Sequence, residues 1–146
     1  MWNWRKLLPR RKLVGEVGED HACRYLRSKG YKLVARNFRV AYGELDIVAL
    51  KGEMVCFIEV KTRSLNAAVS PLDNIGRQKQ QRLLRAANAF LLERGAVGAV
   101  DFRFEAVEVW VKPHTARVVR IEHLPNLELE VDLHAGKPAW SGAFGA

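Results

Sequence analysis

In "CFIEVKTR", residues 56–63, a carboxylate and an ammonium, Glu59 and Lys61, stand two residues apart in an otherwise apolar run. Side chains alternate along a strand, so Val55, Phe57, Glu59 and Lys61 share one face and Cys56, Ile58, Val60 and Thr62 the other. Both faces begin apolar, as in a central strand, and only one turns charged at its end. Upstream, "GELDIVALKGEM" carries Glu44 and Asp46 and offers Gly52-Glu53 as a two-residue type II′ turn with Gly first. Closing the hairpin at Lys51 and Met54 sets Val48 against Phe57, Asp46 against Glu59 and Glu44 against Lys61. Directly opposed side chains approach to about 5 Å at Cβ, so Asp46 and Glu59 would repel. A hard divalent cation such as Mg²⁺ removes that conflict, because it takes carboxylate oxygens and keeps waters for substrate. Closure at Leu50 and Glu53 would instead place Asp46 opposite Phe57.

A further acid comes from the first helical segment, where Glu19 falls within the apolar stripe beside Leu26 while Glu16 and Asp20 point away. On a later helix, Gln80 lies near the middle of the apolar stripe and Lys79 borders it. Each residue has a plain reading: a solvated strand-end pair for Glu59 and Lys61, a turn entry for Glu44 and Asp46, favourable placement in the helix dipole for Glu19, a loop hydrogen bond for Gln80, surface charge for Lys79. The combination of a helix Glu, a strand Asp and Glu-x-Lys on the next strand, all in one register, favours a site.

The elements that would position these groups follow from periodicity. Residues 14–29 have a helical stripe of Val14, Gly15, Gly18, Ala22, Tyr25 and Leu26, ended by Gly30. Strands are expected at 32–40, 44–51 and 54–62, a helix at 74–94, and strands near 100–111 and 117–123. The order helix, three strands, helix, two strands (αβββαββ) predicts an α/β fold: a central mixed β-sheet flanked by helices. Residues 1–12 read as a basic arm, 13–123 as one domain and 124–146 as a tail. Within the tail, "LELEVDL" (127–133) alternates and suits an edge strand, a strand that pairs with a protein partner, or an acidic shield.

The chain's net charge of +8 is concentrated: residues 1–40 hold eleven Lys or Arg against Glu16, Glu19 and Asp20, and the remaining residues hold thirteen of each sign. Arg77, Lys79, Arg82, Arg85 and Arg94 fall on the second helix with Glu93 as its only acid. This clustering predicts a polyanionic partner, with nucleic acid favoured over ribosome contact or mere solubility. Arg5, Lys6, Arg10, Arg11, Lys12, Lys79 and Arg82 are the candidate phosphate contacts. No run is apolar enough to cross a bilayer and "MWNWRKLLPRRKL" lacks a signal peptide's apolar region, so no membrane role and a cytoplasmic location are expected. Cys23 and Cys56 have no ligand spacing and are expected as reduced core residues.

The segments "GEDHACRYLRSKGYKLVARNFR", "GELDIVA", "FIEVKTR", the lysine of "RQKQQRLLRAANAFL" and "RFEAVEV" resemble the YraN family of small, functionally uncharacterised bacterial proteins. The resemblance covers roughly residues 13–122. That family is placed in the restriction-endonuclease-like PD-(D/E)xK superfamily, near the archaeal Holliday-junction resolvases. It implies a restriction-endonuclease-like core in which Asp46 and Glu59 match the metal-binding acids, Lys61 the lysine and Glu19 the first-helix glutamate. Leu45 replaces the Pro of the superfamily name, and Glu105 stands where Asp is expected.

These expectations combine into a metal-dependent endonuclease acting on branched or otherwise structured DNA. Asp46, Glu59 and the Val60 carbonyl would hold Mg²⁺ or Mn²⁺, Glu19 would complete or orient the site, and Lys61 would orient the attacking water. Glu44 and Gln80 are accessory candidates, and resolvase-like relatives imply a homodimer. Two rivals remain: a non-catalytic nucleic-acid-binding module with the same fold, and an adaptor of recombination or replication machinery using residues 127–133.

Overall fold

The computed structural model describes residues 10–65, 76–115 and 117–129, with side chains from residue 15 onward. Seven elements follow in order: α1 (Arg10–Ser28), β1 (Lys32–Val40), β2 (Gly43–Lys51), β3 (Met54–Ser64), α2 (Arg77–Glu93), β4 (Phe102–Val111) and β5 (Val118–Leu124). The strands form one five-stranded mixed sheet in the order β1-β2-β3-β4-β5. All neighbours are antiparallel except β3 and β4, whose parallel pairing needs a crossover, and α2 lies in that connection.

Alternation along β3 decides what covers each face. Cys56 and Ile58 pack with Ala22, Cys23 and Leu26 of α1, whereas Val55 and Phe57 pack with Leu83, Ala87 and Phe90 of α2. The two helices therefore cover opposite faces of the sheet, and β3 is buried on both. Cys23 and Cys56 are free and buried.

The β2–β3 hairpin closes at Lys51 and Met54. Gly52 has φ 60° and Glu53 is not among the positive-φ residues, the type II′ pattern that sets this register. Element boundaries move modestly from those expected. α1 begins at Arg10 rather than at residue 14, so residues 10–12 belong to the helix and not to a separate arm; their side chains, like all of Arg5 and Lys6, lie outside the described residues. The tail from 126 to 129 is irregular, but the Leu127 N–H donates to the Phe104 carbonyl at 2.7 Å and Leu127 and Leu129 pack on the α2-side core. Residues 130–133 of the alternating segment lie outside the described residues. No described helix is long and apolar enough to cross a membrane.

Two glycines bring the helices unusually close to one end of the sheet. A Cβ on Gly18 of α1 would fall on the Thr62 hydroxyl of β3, and one on Gly43 of β2 would fall on the Arg82 carbonyl of α2. Only a hydrogen in place of the side chain permits these approaches. They seat Glu19 and Lys79, one residue after Gly18 and three before Arg82, over the charged ends of β2 and β3.

Candidate active site

The site begins where β2 and β3 part. Their regular pairing runs from Lys51↔Met54 to Ile47↔Ile58 and goes no further, while β3 continues alongside β4 to Ser64↔Val111. The expected backbone pairs Asp46–Glu59 and Glu44–Lys61 therefore do not form. Instead, Asp46 Oδ2 accepts the Val60 N–H at 2.8 Å, so a side chain takes over a donor that a ladder would have used. Extrapolating regular pairing missed this competition between side chain and backbone. Glu44 pairs instead with Arg39 on β1, whose Nε lies 3.4 Å from its carboxylate.

Parting of the strands nevertheless brings the two acids together. The Asp46 and Glu59 carboxyl groups are within hydrogen-bonding contact; burial first, then the Glu59 charge, push the Asp46 pKa up to about 8. Two close carboxyls repel when both are charged, and that repulsion makes Asp46 harder to ionise than an isolated aspartate. Glu59 is buried, at 6 % exposure. It is ion-paired with the Lys79 ammonium from α2, and Lys61 Nζ lies 3.7 Å away. Burial, and then the neighbouring Lys79, lower the Lys61 pKa. For Lys79 burial acts downward too, but the Glu59 carboxylate outweighs it and leaves the pKa raised. The two lysines are thus unequal: one is a firm counter-ion, the other a cation with a weakened hold on its proton.

Glu19 approaches from the α1 side. Its carboxylate accepts from Asn37 Nδ2 at 3.2 Å and Arg36 Nη2 at 3.4 Å, and its charge contributes to raising the Asp46 pKa. Asn37 and Arg36 were not singled out by sequence reasoning; the available signal was an Asn inside the β-run "ARNFR", since Asn tolerates left-handed backbone. On the α2 side, Glu59 and Lys79 line a cleft of about 420 Å³ with Glu44, Gly76, Gln78, Arg82 and Leu83. Of the α2 candidates, Lys79 and Arg82 face this cleft, whereas Gln80 is buried and does not line it.

A divalent cation fits part of this donor set. Asp46 and Glu59 converge and raise the cost of ionising Asp46, a cost a cation would offset, and Mg²⁺ is commonly bound by one or two carboxylates with water and substrate phosphate supplying the rest. Among the described residues, no three His, Cys, Asp or Glu side chains converge as a complete ligand set.

Glu105, the position where Asp was expected, lies elsewhere. It is fully buried and gathers Tyr31 Oη at 2.8 Å, Arg103 Nε at 2.9 Å and His123 Nε2 at 2.6 Å. Burial would raise its pKa, but the bonds from His123, Cys56, Tyr31 and Arg103 more than reverse this and hold it down to about 2. Burial in the same cluster, then the Glu105 hydrogen bond, push the Cys56 thiol up to about 12, so it is no nucleophile. This ion cluster ties β4 and β5 to the segment after α1.

The family model of the uncharacterised protein family UPF0102 matches residues 18–109, which span Glu19, Asp46, Glu59, Lys61 and Lys79. The chain belongs to the UPF0102 family. Among its UPF0102 relatives, a protein of Alkaliphilus metalliredigens is 43 % identical over 98 residues, covering 67 % of this chain and 85 % of the relative. One from Magnetococcus marinus is 46 % identical over 98 residues, 67 % of this chain and 79 % of the relative. A Chlorobium chlorochromatii member is 41 % identical over 116 residues, 77 % of this chain and 88 % of the relative. UPF0102 membership thus covers the whole site, and it carries no assigned activity.

Proposed function

We propose that this UPF0102 protein is a divalent-metal-dependent phosphodiester hydrolase with a restriction-endonuclease-like core, acting on branched or otherwise structured DNA. The observation that carries the reading is the convergence of Asp46 and Glu59 where β2 leaves β3, with Lys61 and Lys79 beside Glu59 and a cleft that Glu59 and Lys79 line. Asp46 and Glu59 would hold Mg²⁺ or Mn²⁺, with the Val60 carbonyl as the third protein ligand. When bound, the metal would lower the pKa of a coordinated water and offset charge on a phosphoryl oxygen. Lys61, whose proton is held less firmly than that of an ordinary lysine, orients the attacking water and meets the charge that develops on phosphorus. Lys79 and Arg82 line the cleft and meet the phosphate backbone, and such contacts position a strand without reading its bases. Glu19, whose charge bears on Asp46 from the α1 side, would complete or orient the site.

The test is incubation of labelled four-way junctions, flaps and linear duplexes with Mg²⁺ or Mn²⁺, beside an Asp46→Ala control. Cleavage by the wild type that vanishes in the control supports the reading. A second reading, a binding module that keeps the fold without catalysis, is favoured by one observation. Lys79 and Lys61 already neutralise Glu59, so the pocket is electrostatically satisfied without a metal. That module would bind the same DNA with the same affinity whether or not EDTA is present.

A further inference from the structure

The β1 edge carries a feature that the acid pair alone does not require. Asn37 lies inside β1 with φ 52°, a left-handed conformation foreign to a strand. β1–β2 pairing includes Arg36↔Ile47 and Phe38↔Leu45 but omits the two residues between them, Asn37 and Asp46. The kink also changes which face β1 presents: Ala35 and, beyond Asn37, Phe38 and Val40 all pack on the α2-side core, a sequence that strict alternation forbids. β2 shows the same break at Asp46, since Leu45 and Val48 pack on the α2 side while Ile47 packs on the α1 side. Two adjacent strands thus break step at facing residues.

Such paired irregularities hold a backbone conformation that is unfavourable for a residue with a side chain and persists only where the surroundings fix it. Asn lowers that cost, and its amide is put to use: Nδ2 donates to Glu19 Oε2 at 3.2 Å, beside Arg36 Nη2 at 3.4 Å. Arg36 is shared, because the same Nη2 lies 3.0 Å from Asp20 Oδ1. Asn37 is therefore the neutral donor to Glu19, and it stands at the break in β1–β2 pairing where Asp46 faces it.

We infer that Asn37 is a positioning residue, which through its amide fixes the Glu19 carboxylate beside the break in the sheet that Asn37 shares with Asp46, and so sets the field in which Asp46 and Glu59 would hold their cation. This rests on the proposed metal site, and it adds a residue that acts on the cation only through Glu19. Asn37→Gly is the informative substitution, since it keeps the left-handed backbone and removes only the amide.

The experiment is a double-mutant cycle of Asn37→Gly and Glu19→Gln, read by Mn²⁺ calorimetry and by the ¹³Cγ NMR shift of Asp46 in metal-free protein at one fixed pH. Removing a residue that orients a ligand costs about tenfold or more in metal affinity. Asn37→Gly should weaken Mn²⁺ by about that factor, Glu19→Gln by at least as much, and the double variant no more than Glu19→Gln alone. The Asp46 resonance should move in each single variant and no further in the double. Independent, multiplicative losses, or no loss in Asn37→Gly, would overturn the inference. If the wild type takes up no Mn²⁺, the metal reading falls. The inference is then decided by the Asp46 resonance: movement in Asn37→Gly that disappears in the Glu19→Gln background upholds the positioning role, and an unmoved resonance overturns it.

Discussion

Asp46 Oδ2 accepts the Val60 N–H at 2.8 Å, one residue past Ile47 and two past Ile58, the last regular pair of the β2–β3 hairpin. This bond keeps the two strands together while their backbones diverge, and it aims the rest of the Asp46 carboxyl at Glu59.

That geometry has a thermodynamic signature. Asp46 is raised from 3.8 to about 8 in the folded protein, so between about pH 4 and pH 8 the native state binds more protons than the unfolded chain. Its contribution is favourable at low pH and is lost as pH rises through 8. Asp46→Asn keeps an acceptor for Val60 and has no charge to bury. Urea denaturation should find it equal to wild type near pH 4 and more stable near pH 8.5 by at least about 1 kcal/mol, the worth of roughly one pK unit. Equal stability at both pH values would mean that Asp46 is not held protonated.

The close approaches of the helices are tested by three glycines. Gly18→Ala and Gly43→Ala each place a methyl where another group already sits, and overpacking of this kind costs about 1–3 kcal/mol. At Gly43 the obstacle is a backbone carbonyl, which cannot rotate away. Gly15→Ala, on the same helix as Gly18 but with open space at its Cβ, should stabilise by about 0.5–1 kcal/mol from helix propensity. Chemical denaturation of the three variants checks both signs.

Much of this architecture was legible in the sequence, for reasons visible in particular residues. Gly52-Glu53 admits a tight turn of defined hand, so Lys51↔Met54 and Val48↔Phe57 could be counted from it. The apolar stripe of Ala22 and Leu26 and the stop at Gly30 are local patterns, and the stop is made by Tyr31 N–H returning to the Leu26 carbonyl at 3.0 Å. What could not be counted was where pairing ends. A carboxylate that competes for a backbone N–H, as Asp46 does, breaks the register that its own position would extrapolate. Glu105 was likewise visible as an acid in "RFEAVEV", but its partners Tyr31 and His123 lie far away in the chain. No local rule brings them together.

Glu105 should matter to stability, separately from the site. Its pKa falls from 4.5 to about 2 on folding, so the contribution is present above about pH 4.5 and is lost as pH falls toward 2. Glu105→Ala leaves Arg103 and His123 without their buried partner, and breaking such a cluster costs about 3–5 kcal/mol. Thermal melts from pH 7 down to pH 3 should show the wild type losing stability over the lower part of this range more steeply than the variant. Parallel curves would place the depressed carboxylate elsewhere.

Lys61 separates catalysis from binding. Lys61→Ala should preserve fold and DNA affinity while lowering single-turnover cleavage by about a hundredfold or more, the scale of losing one donor aimed at transition-state charge. Lys61→Arg should rescue poorly, because a planar guanidinium does not replace a compact ammonium beside Glu59 and Lys79. Full rescue by Arg, measured with the same substrate, would reduce Lys61 to a phosphate contact.

The most direct measurement is single-turnover cleavage of a labelled four-way junction by wild type, Asp46→Asn and Glu59→Gln in Mg²⁺ and in Mn²⁺, with binding followed in parallel in Ca²⁺. The expected result is metal-dependent cleavage by the wild type and none by either variant, while all three bind the junction. Wild-type protein that binds junctions, flaps and single strands yet cleaves none of them with either metal would contradict a hydrolytic role for Asp46 and Glu59.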